Sequence, residues 1–142
     1  MVKVIGTIYE SPNKLGDFNW MIKQEEYNNS LFIFNDNIEH HLSNRKGNGN
    51  AIIRQYNKYS NLAKPRSAGI PTGTLANGGF TEISEEVKTL IDDCITGIKE
   101  LIVKYKYDTV YFSADENGKL GTSIFIVNKD VIDYITKQII NL

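Results

Sequence analysis

Leu31-Phe32-Ile33-Phe34 is a run of four large apolar residues that stops abruptly at the polar trio Asn35-Asp36-Asn37. A strand with one wet face alternates apolar and polar side chains, whereas an unbroken apolar strand is buried on both faces. Strands buried in this way belong to parallel sheets covered by helices, and the rest of the chain alternates accordingly. Val2 to Tyr9 reads as a first strand, broken by Ser11-Pro12-Asn13. Asp17 is placed to cap a helix from Phe18 to Glu25, and Asn28-Asn29-Ser30 forms the turn into the strand at Leu31. A helix over Gly49 to Tyr59 follows, with Ile52, Ile53 and Tyr56 as its buried stripe, then a short strand from Ala68 to Pro71.

The longest periodic signal begins at Ser84. Val87, Leu90, Ile91, Cys94, Ile95, Ile98, Leu101 and Ile102 recur at three- and four-residue spacing, which predicts one helix reaching Tyr105. Ser84 is its cap, and Glu85 and Glu86 complement the positive end of its dipole. Leu90, Ile91, Ile95, Ile98 and Leu101 are expected to face the sheet. Asp108 to Ser113 is the next strand, Ala114 to Gly121 a loop, and Asn128 and Asp130 open a last helix striped by Val131, Ile135, Ile139 and Leu142. This order predicts a single three-layer α/β domain over residues 1–142, with a mainly parallel or mixed sheet flanked by helices.

A length of 142 residues suits one domain, and an apolar content of 41% with fifteen aromatic residues supplies one core. There is no long apolar stretch to span a membrane, and Met1 to Gly6 lacks the apolar core of a secretion signal. Cys94 is the sole cysteine, which rules out a disulfide within the chain and fits a reducing, cytoplasmic setting. A net charge of −1 argues against broad nucleic-acid binding, which needs a generally basic face. No cofactor is implied, and self-association into a homo-oligomer is left open.

Charge is nevertheless distributed unevenly. Between Glu39 and Glu82 there is no acidic residue, while Arg45, Lys46, Arg54, Lys58, Lys64 and Arg66 fall in that window. Six of the eleven glycines lie there too: Gly47, Gly49, Gly69, Gly73, Gly78 and Gly79. In parallel sheets, ligands bind at the carboxyl ends of strands, and a glycine-rich loop entering a helix lets backbone N–H groups approach a phosphate. Three loops meet that description. The first joins Asn35, Asp36 and Asn37 to Arg45, Lys46, Gly47, Asn48, Gly49 and Asn50, with Arg54 beyond. The second runs from Gly69 through Thr72 and Gly73 to Phe80, where Thr72 offers a hydroxyl, Gly73 an N–H and Phe80 a stacking surface. The third contains Gly118, Lys119, Gly121, Thr122 and Ser123. All three are expected to border one concave site, with Arg66 adding charge at its rim.

Each of these features has a purely structural counterpart. Asn35, Asp36 and Asn37 suit the capping of a turn, Phe80 the anchoring of the next helix, and Asn117-Gly118 a surface turn. Arg54 lies on a helix, where pairing with an acidic residue at the core edge competes with ligand binding. His40 and His41 are adjacent and do not make a closed metal site, so no metal is expected.

The segments Leu31 to Asn37, Gly47/Gly49 with Ala51-Ile52-Ile53-Arg54, and Ala68-Gly69-Ile70-Pro71-Thr72 resemble a group of small phage and bacterial proteins. Their pattern is an apolar strand ending in Gly-Asp-Asn, a Gly-Gly loop with an Ile-Arg pair, and Gly-Ile-Pro-Thr. Here Asn35 replaces the first glycine and Asn48 interrupts the glycine pair. More remotely, the order of elements is similar to that of macrodomains, which bind ADP-ribose and related nucleotides. That likeness implies a ribose-proximal role for Asn37, a first loop at Gly47 and Gly49, and a diphosphate loop at Gly118, Lys119, Leu120 and Gly121. The first loop lacks the macrodomain glycine triplet, which favours binding over catalysis.

The expected function is therefore binding of an ADP-ribose-like or other nucleotide, linear or cyclic. The phage resemblance implies a sponge for a nucleotide immune signal, in a bacterial or phage-infected host cell. Two other readings stay open: a hydrolase of ADP-ribosyl or nucleotide phosphate linkages, in which Asp36 or Asn37 positions water, and an interaction module for an acidic protein or a nucleic acid.

Overall fold

The computed structural model describes residues 2–122 and 125–142. Four strands form one fully parallel sheet: β1 (Lys3–Thr7), β2 (Ser30–Asp36), β3 (Ser67–Pro71) and β6 (Thr109–Ser113), in the order β1-β6-β2-β3. A small antiparallel pair, β4 (Gly73–Thr74) and β5 (Gly78–Gly79), follows β3. The helices are α1 (Phe18–Met21), α2 (Glu85–Tyr105) and α3 (Lys129–Ile140), with 3-10 turns at Glu25–Tyr27 and Gly49–Tyr56. The fold is thus α/β, with a parallel sheet flanked by helices.

Every residue of β2 is buried, as its unbroken apolar run requires. Its alternate side chains feed two cores. Leu31 and Ile33 join Ala68, Ile70, Val110 and Phe112 beneath α2 and α3, where Ile91, Ile95, Ile98, Val131, Ile135 and Ile139 meet them. Phe32 and Phe34 face the other way and pack with Phe18, Met21, Ile22 and Ile53. Phe32 receives the edge of Phe18 with ring centres 5.0 Å apart and stacks on Tyr111 at 5.5 Å.

The layers are unequal. On one face, α2 runs for 21 residues from its Ser84 cap, whose hydroxyl accepts the Val87 N–H, to Lys106 in a left-handed conformation. On the other face, the expected helices shrink. The Phe18–Glu25 helix is a single turn, because the chain straightens at Gln24, and the freed Ile22 and Tyr27 carbonyls are taken up by the Arg66 guanidinium. The Gly49–Tyr59 helix is a 3-10 helix ending at Tyr56, where the Tyr56 carbonyl accepts the Arg66 N–H at the entrance to β3. One correction concerns α2 itself: Ile91, Ile95, Ile98 and Leu101 are buried, but Leu90 is only half-buried and borders a groove beside β3. Among the described residues, no helix is long and apolar enough to cross a membrane.

Ile95 sits 3% exposed in the larger core. Ile95→Ala should cost about 2–5 kcal/mol, through lost burial and the cavity left behind. Urea unfolding should show a lower midpoint with an unchanged slope. Two buried protons set a second expectation. Burial pushes the Cys94 thiol from an ordinary 9.0 up to about 11. Burial, with Tyr105 adding to it, also raises Tyr107, whose hydroxyl donates to the Pro65 carbonyl. Both groups hold their protons more tightly folded than unfolded, so their contribution is intact below pH about 9 and declines as pH rises through the folded values. Unfolding free energies should hold from pH 8 to about 9 and fall from there to pH 11, and Cys94→Ala should flatten the first part of that fall.

Candidate functional site

Because the sheet is parallel, β1, β6, β2 and β3 all end on one edge, at Thr7, Ser113, Asp36 and Pro71. Above that edge lies a cleft of about 390 Å³, lined by Asn35, Asp36 and Asn37, the loop Arg45 to Asn50, Arg54 and Thr122. His40, Ala51, Leu75 and Phe125 complete its wall.

The base of the cleft is an ion pair. Arg54 donates from Nε to both Asp36 oxygens, at 3.1 and 3.0 Å, and from Nη2 to Oδ1. The two side chains are 2% and 1% exposed, so the pair is desolvated and must be satisfied internally. The Asn37 N–H supplies a further bond to Asp36 Oδ1 at 2.8 Å, and Arg54 Nη1 donates to the Arg45 carbonyl at 2.9 Å. Gly69 makes room for the carboxylate: a Cβ there would stand 2.7 Å from Asp36 Oδ2 and 3.0 Å from the Phe34 ring.

Asn35 points to the opposite face of β2 and ties two loops together. Its amide oxygen accepts from Asn50 Nδ2 at 2.6 Å, and its Nδ2 donates to the Thr122 carbonyl at 3.1 Å. Asn37 Oδ1 accepts the His40 N–H, closing the turn after β2. Gly49 has φ +57°, a left-handed conformation that turns the chain into the 3-10 helix. At that helix start, the N–H groups of Gly49 and Asn50 have no preceding turn to accept them. Arg45 and Lys46 are exposed and, among the described residues, make no ion pair. With Asp36 neutralised by Arg54, the cleft carries net positive charge.

The structure does not bring the other expected residues to the cleft. Thr72 is fully buried, its N–H donated to the Asp36 carbonyl and its hydroxyl without a partner among the described residues. Gly73 lies opposite Gly79 in the β4–β5 hairpin, and its carbonyl accepts the Ile38 N–H at 3.0 Å. The Phe80 ring packs half-buried against the larger core, the anchoring role. Arg66 lies at the other end of the sheet, where it donates to the Ile22, Tyr27 and Ser30 carbonyls. Gly118 and Lys119 belong to a turn closed on Asp115, whose carboxylate accepts the Asn117 and Lys119 N–H groups. Lys119 Nζ pairs with Asp133 at 3.1 Å. The Gly121 N–H is spent on the Ser113 carbonyl, leaving Thr122 as the one described residue of that loop at the cleft. Ser123 lies outside the described residues.

Sequence reasoning missed four wall residues as ligand contacts. Leu75 is held in place by its N–H donated to the Glu39 carboxylate at 2.9 Å, a bond that lowers the Glu39 carboxyl below its ordinary range. Phe125 is held through Thr122, whose hydroxyl donates to the Phe125 carbonyl and whose carbonyl accepts the Phe125 N–H. His40 and Ala51 reach the wall through the turns that carry them. Among the described residues, no group of His, Cys, Asp and Glu is arranged to hold a metal ion. Compared with known proteins, the chain matches no protein-family model, and no curated protein or solved structure matches it.

Arg54→Met should cost about 3–5 kcal/mol, because it strands a buried carboxylate. Asp36→Leu combined with Arg54→Met should recover much of that loss, since an apolar pair carries no desolvation penalty. Chemical denaturation of the two variants and wild type checks this. A double variant no more stable than the single one would contradict the burial argument.

Proposed function

We infer that the cleft binds a nucleotide of the ADP-ribose type or a related linear or cyclic phosphate. The reading rests on one juxtaposition. Arg45, Lys46 and the amino end of the 3-10 helix stand together at a strand end whose carboxylate, Asp36, is already paired with Arg54. A site with unneutralised cations and outward backbone N–H groups favours an anion. Leu75 and Phe125 add apolar surface on the same wall, suited to a base or ribose. A volume near 390 Å³ falls within the roughly 300–1,000 Å³ typical of small-molecule sites.

Binding without catalysis is favoured because the two residues expected to position water are engaged, Asp36 by Arg54 and the Asn37 side-chain oxygen by the His40 N–H. In a phage setting, such a domain acts as a sponge for a nucleotide signal, a task that needs affinity alone.

A thermal-shift screen with ADP-ribose, its cyclic isomers, cyclic dinucleotides and NAD tests the reading, because a ligand at 100 times its dissociation constant adds about 2.7 kcal/mol. For whichever compound stabilises the wild type, calorimetric titration should show binding abolished in Gly49→Asp, which sets a negative charge at the helix start. Gly49→Asn, which tolerates the same left-handed backbone without the charge, should retain most of the affinity. Equal affinity of wild type and Gly49→Asp would end the anion-site reading.

A further inference from the structure

A second cavity lies elsewhere, in the groove between the edge strand β3, helix α2 and the segment after the 3-10 helix. It measures about 450 Å³, larger than the basic cleft. Ala68, Leu90, Cys94, Ile98 and Leu101 make its apolar walls. At Gly97 the α2 wall of the groove carries no side chain.

Of its polar lining, Asn57 and Ser67 are committed to the Ser43 and Ile53 carbonyls, and Tyr59, Lys58, Asp93 and His41 stand around the rest. Lys58 lies across α2, with its ammonium 3.2 Å from the position a Cβ on Gly97 would take. Among the described residues, Lys58 makes no ion pair. Asp93 is at the rim and exposed, beyond ion-pair distance of that ammonium. His41 also borders the groove, with its Nδ1 donating to the Ile38 carbonyl. His41, Asp93 and Cys94 are not arranged to hold a metal. Nor is the groove built for thiol chemistry, since burial keeps Cys94 protonated, with its pKa pushed up to about 11.

We propose that this groove binds a small amphipathic acid, its apolar body against Ala68, Leu90, Ile98 and Leu101 and its single carboxylate or sulfonate on Lys58. The apolar walls reward burial of a hydrocarbon body, and an ammonium without a carboxylate partner at the mouth is complemented by one negative charge. The site is separate from the basic cleft and does not depend on what that cleft holds.

Anilinonaphthalene sulfonate, an aromatic body with one anionic group, is the probe. The full chain should bind it saturably with enhanced fluorescence. In amide NMR spectra, the shifted signals should be those of Ala68, Gly69, Cys94 and Gly97. Gly97→Phe places a ring in the groove from a regular helical position, and its affinity for the probe should fall by at least about tenfold. Lys58→Met should lose about three- to fivefold, as expected of a partly exposed charge contact, while the uncharged N-phenylnaphthylamine binds both proteins alike. Decanoate should displace the probe better than decanol. Amide shifts centred on the basic cleft, displacement of the probe by ADP-ribose, or unchanged affinity in Lys58→Met would each overturn the proposal. The wild-type amide shifts decide the location even if Gly97→Phe does not fold.

Discussion

The Asp36–Arg54 pair is the interaction on which the geometry of the cleft depends. A carboxylate and a guanidinium buried this fully lose several kcal/mol of hydration each, and only complete hydrogen bonding offsets that. Here two further bonds contribute: the Asn37 N–H caps one carboxylate oxygen and the Arg45 carbonyl accepts from the outer arm of Arg54. Both partners therefore fix backbone. Asp36 sets the exit of β2, Arg54 sets the 3-10 helix that carries it, and the Arg45 carbonyl draws the basic loop down between them. Gly69 belongs to the same unit, because any larger residue on β3 would collide with the carboxylate. The pair is a clamp, and the loop that carries Arg45 and Lys46 is its outer surface.

That clamp explains the imbalance of the two layers. Beneath α2 and α3, the sheet is covered by helices whose buried residues are apolar apart from Thr136, whose hydroxyl accepts the Leu120 N–H. On the other face, the 3-10 helix must deliver Arg54 to Asp36 and Ile53 to the Phe32–Phe34 cluster. Its carboxyl end is fixed as well, because Asn57 Nδ2 donates to the Ser43 carbonyl and Arg66 N–H donates to Tyr56. A regular α-helix over Gly49–Tyr59 would have to break those bonds. Tertiary contacts have overridden local helical preference, as they do wherever a short segment is pinned at both ends.

What the sequence made legible follows from this. Helix α2, strand β2 and strand β6 carry local periodic patterns strong enough to read directly, and the parallel arrangement follows from the unbroken run at Leu31–Phe34. The joining of Asn35–Asn37 to Arg45–Asn50 was also legible, because strand-end polarity and loop glycines both mark it. Arg54 carried its competing role openly, but its partner lies 18 residues away, and no local pattern specifies that distance. Arg66 was misplaced for a related reason: its charge signalled a ligand, whereas three carbonyls freed by the end of α1 and the turn before β2 claimed it. Leu75 and Phe125 carry no local signal, since a single apolar residue in a loop reads the same whether it lines a cleft or covers a core.

The loop at Gly118 shows what the acid-free window means physically. There, a glycine-containing turn has its own carboxylate, Asp115, which accepts the loop's N–H groups and leaves nothing for an external anion. Its lysine is likewise taken by Asp133. The loop at Arg45–Asn50 has glycines and cations of the same kind but no acidic residue within it. The carboxylates that border it are committed elsewhere, Asp36 to Arg54 and Glu39 to the Leu75 N–H. Glycine and lysine content alone does not distinguish the two loops; the presence of an internal anion does. An absence of Asp and Glu from Arg45 to Asn50 is thus the feature that keeps cations and N–H groups uncompensated at a strand end, which is what an anionic ligand at this cleft requires.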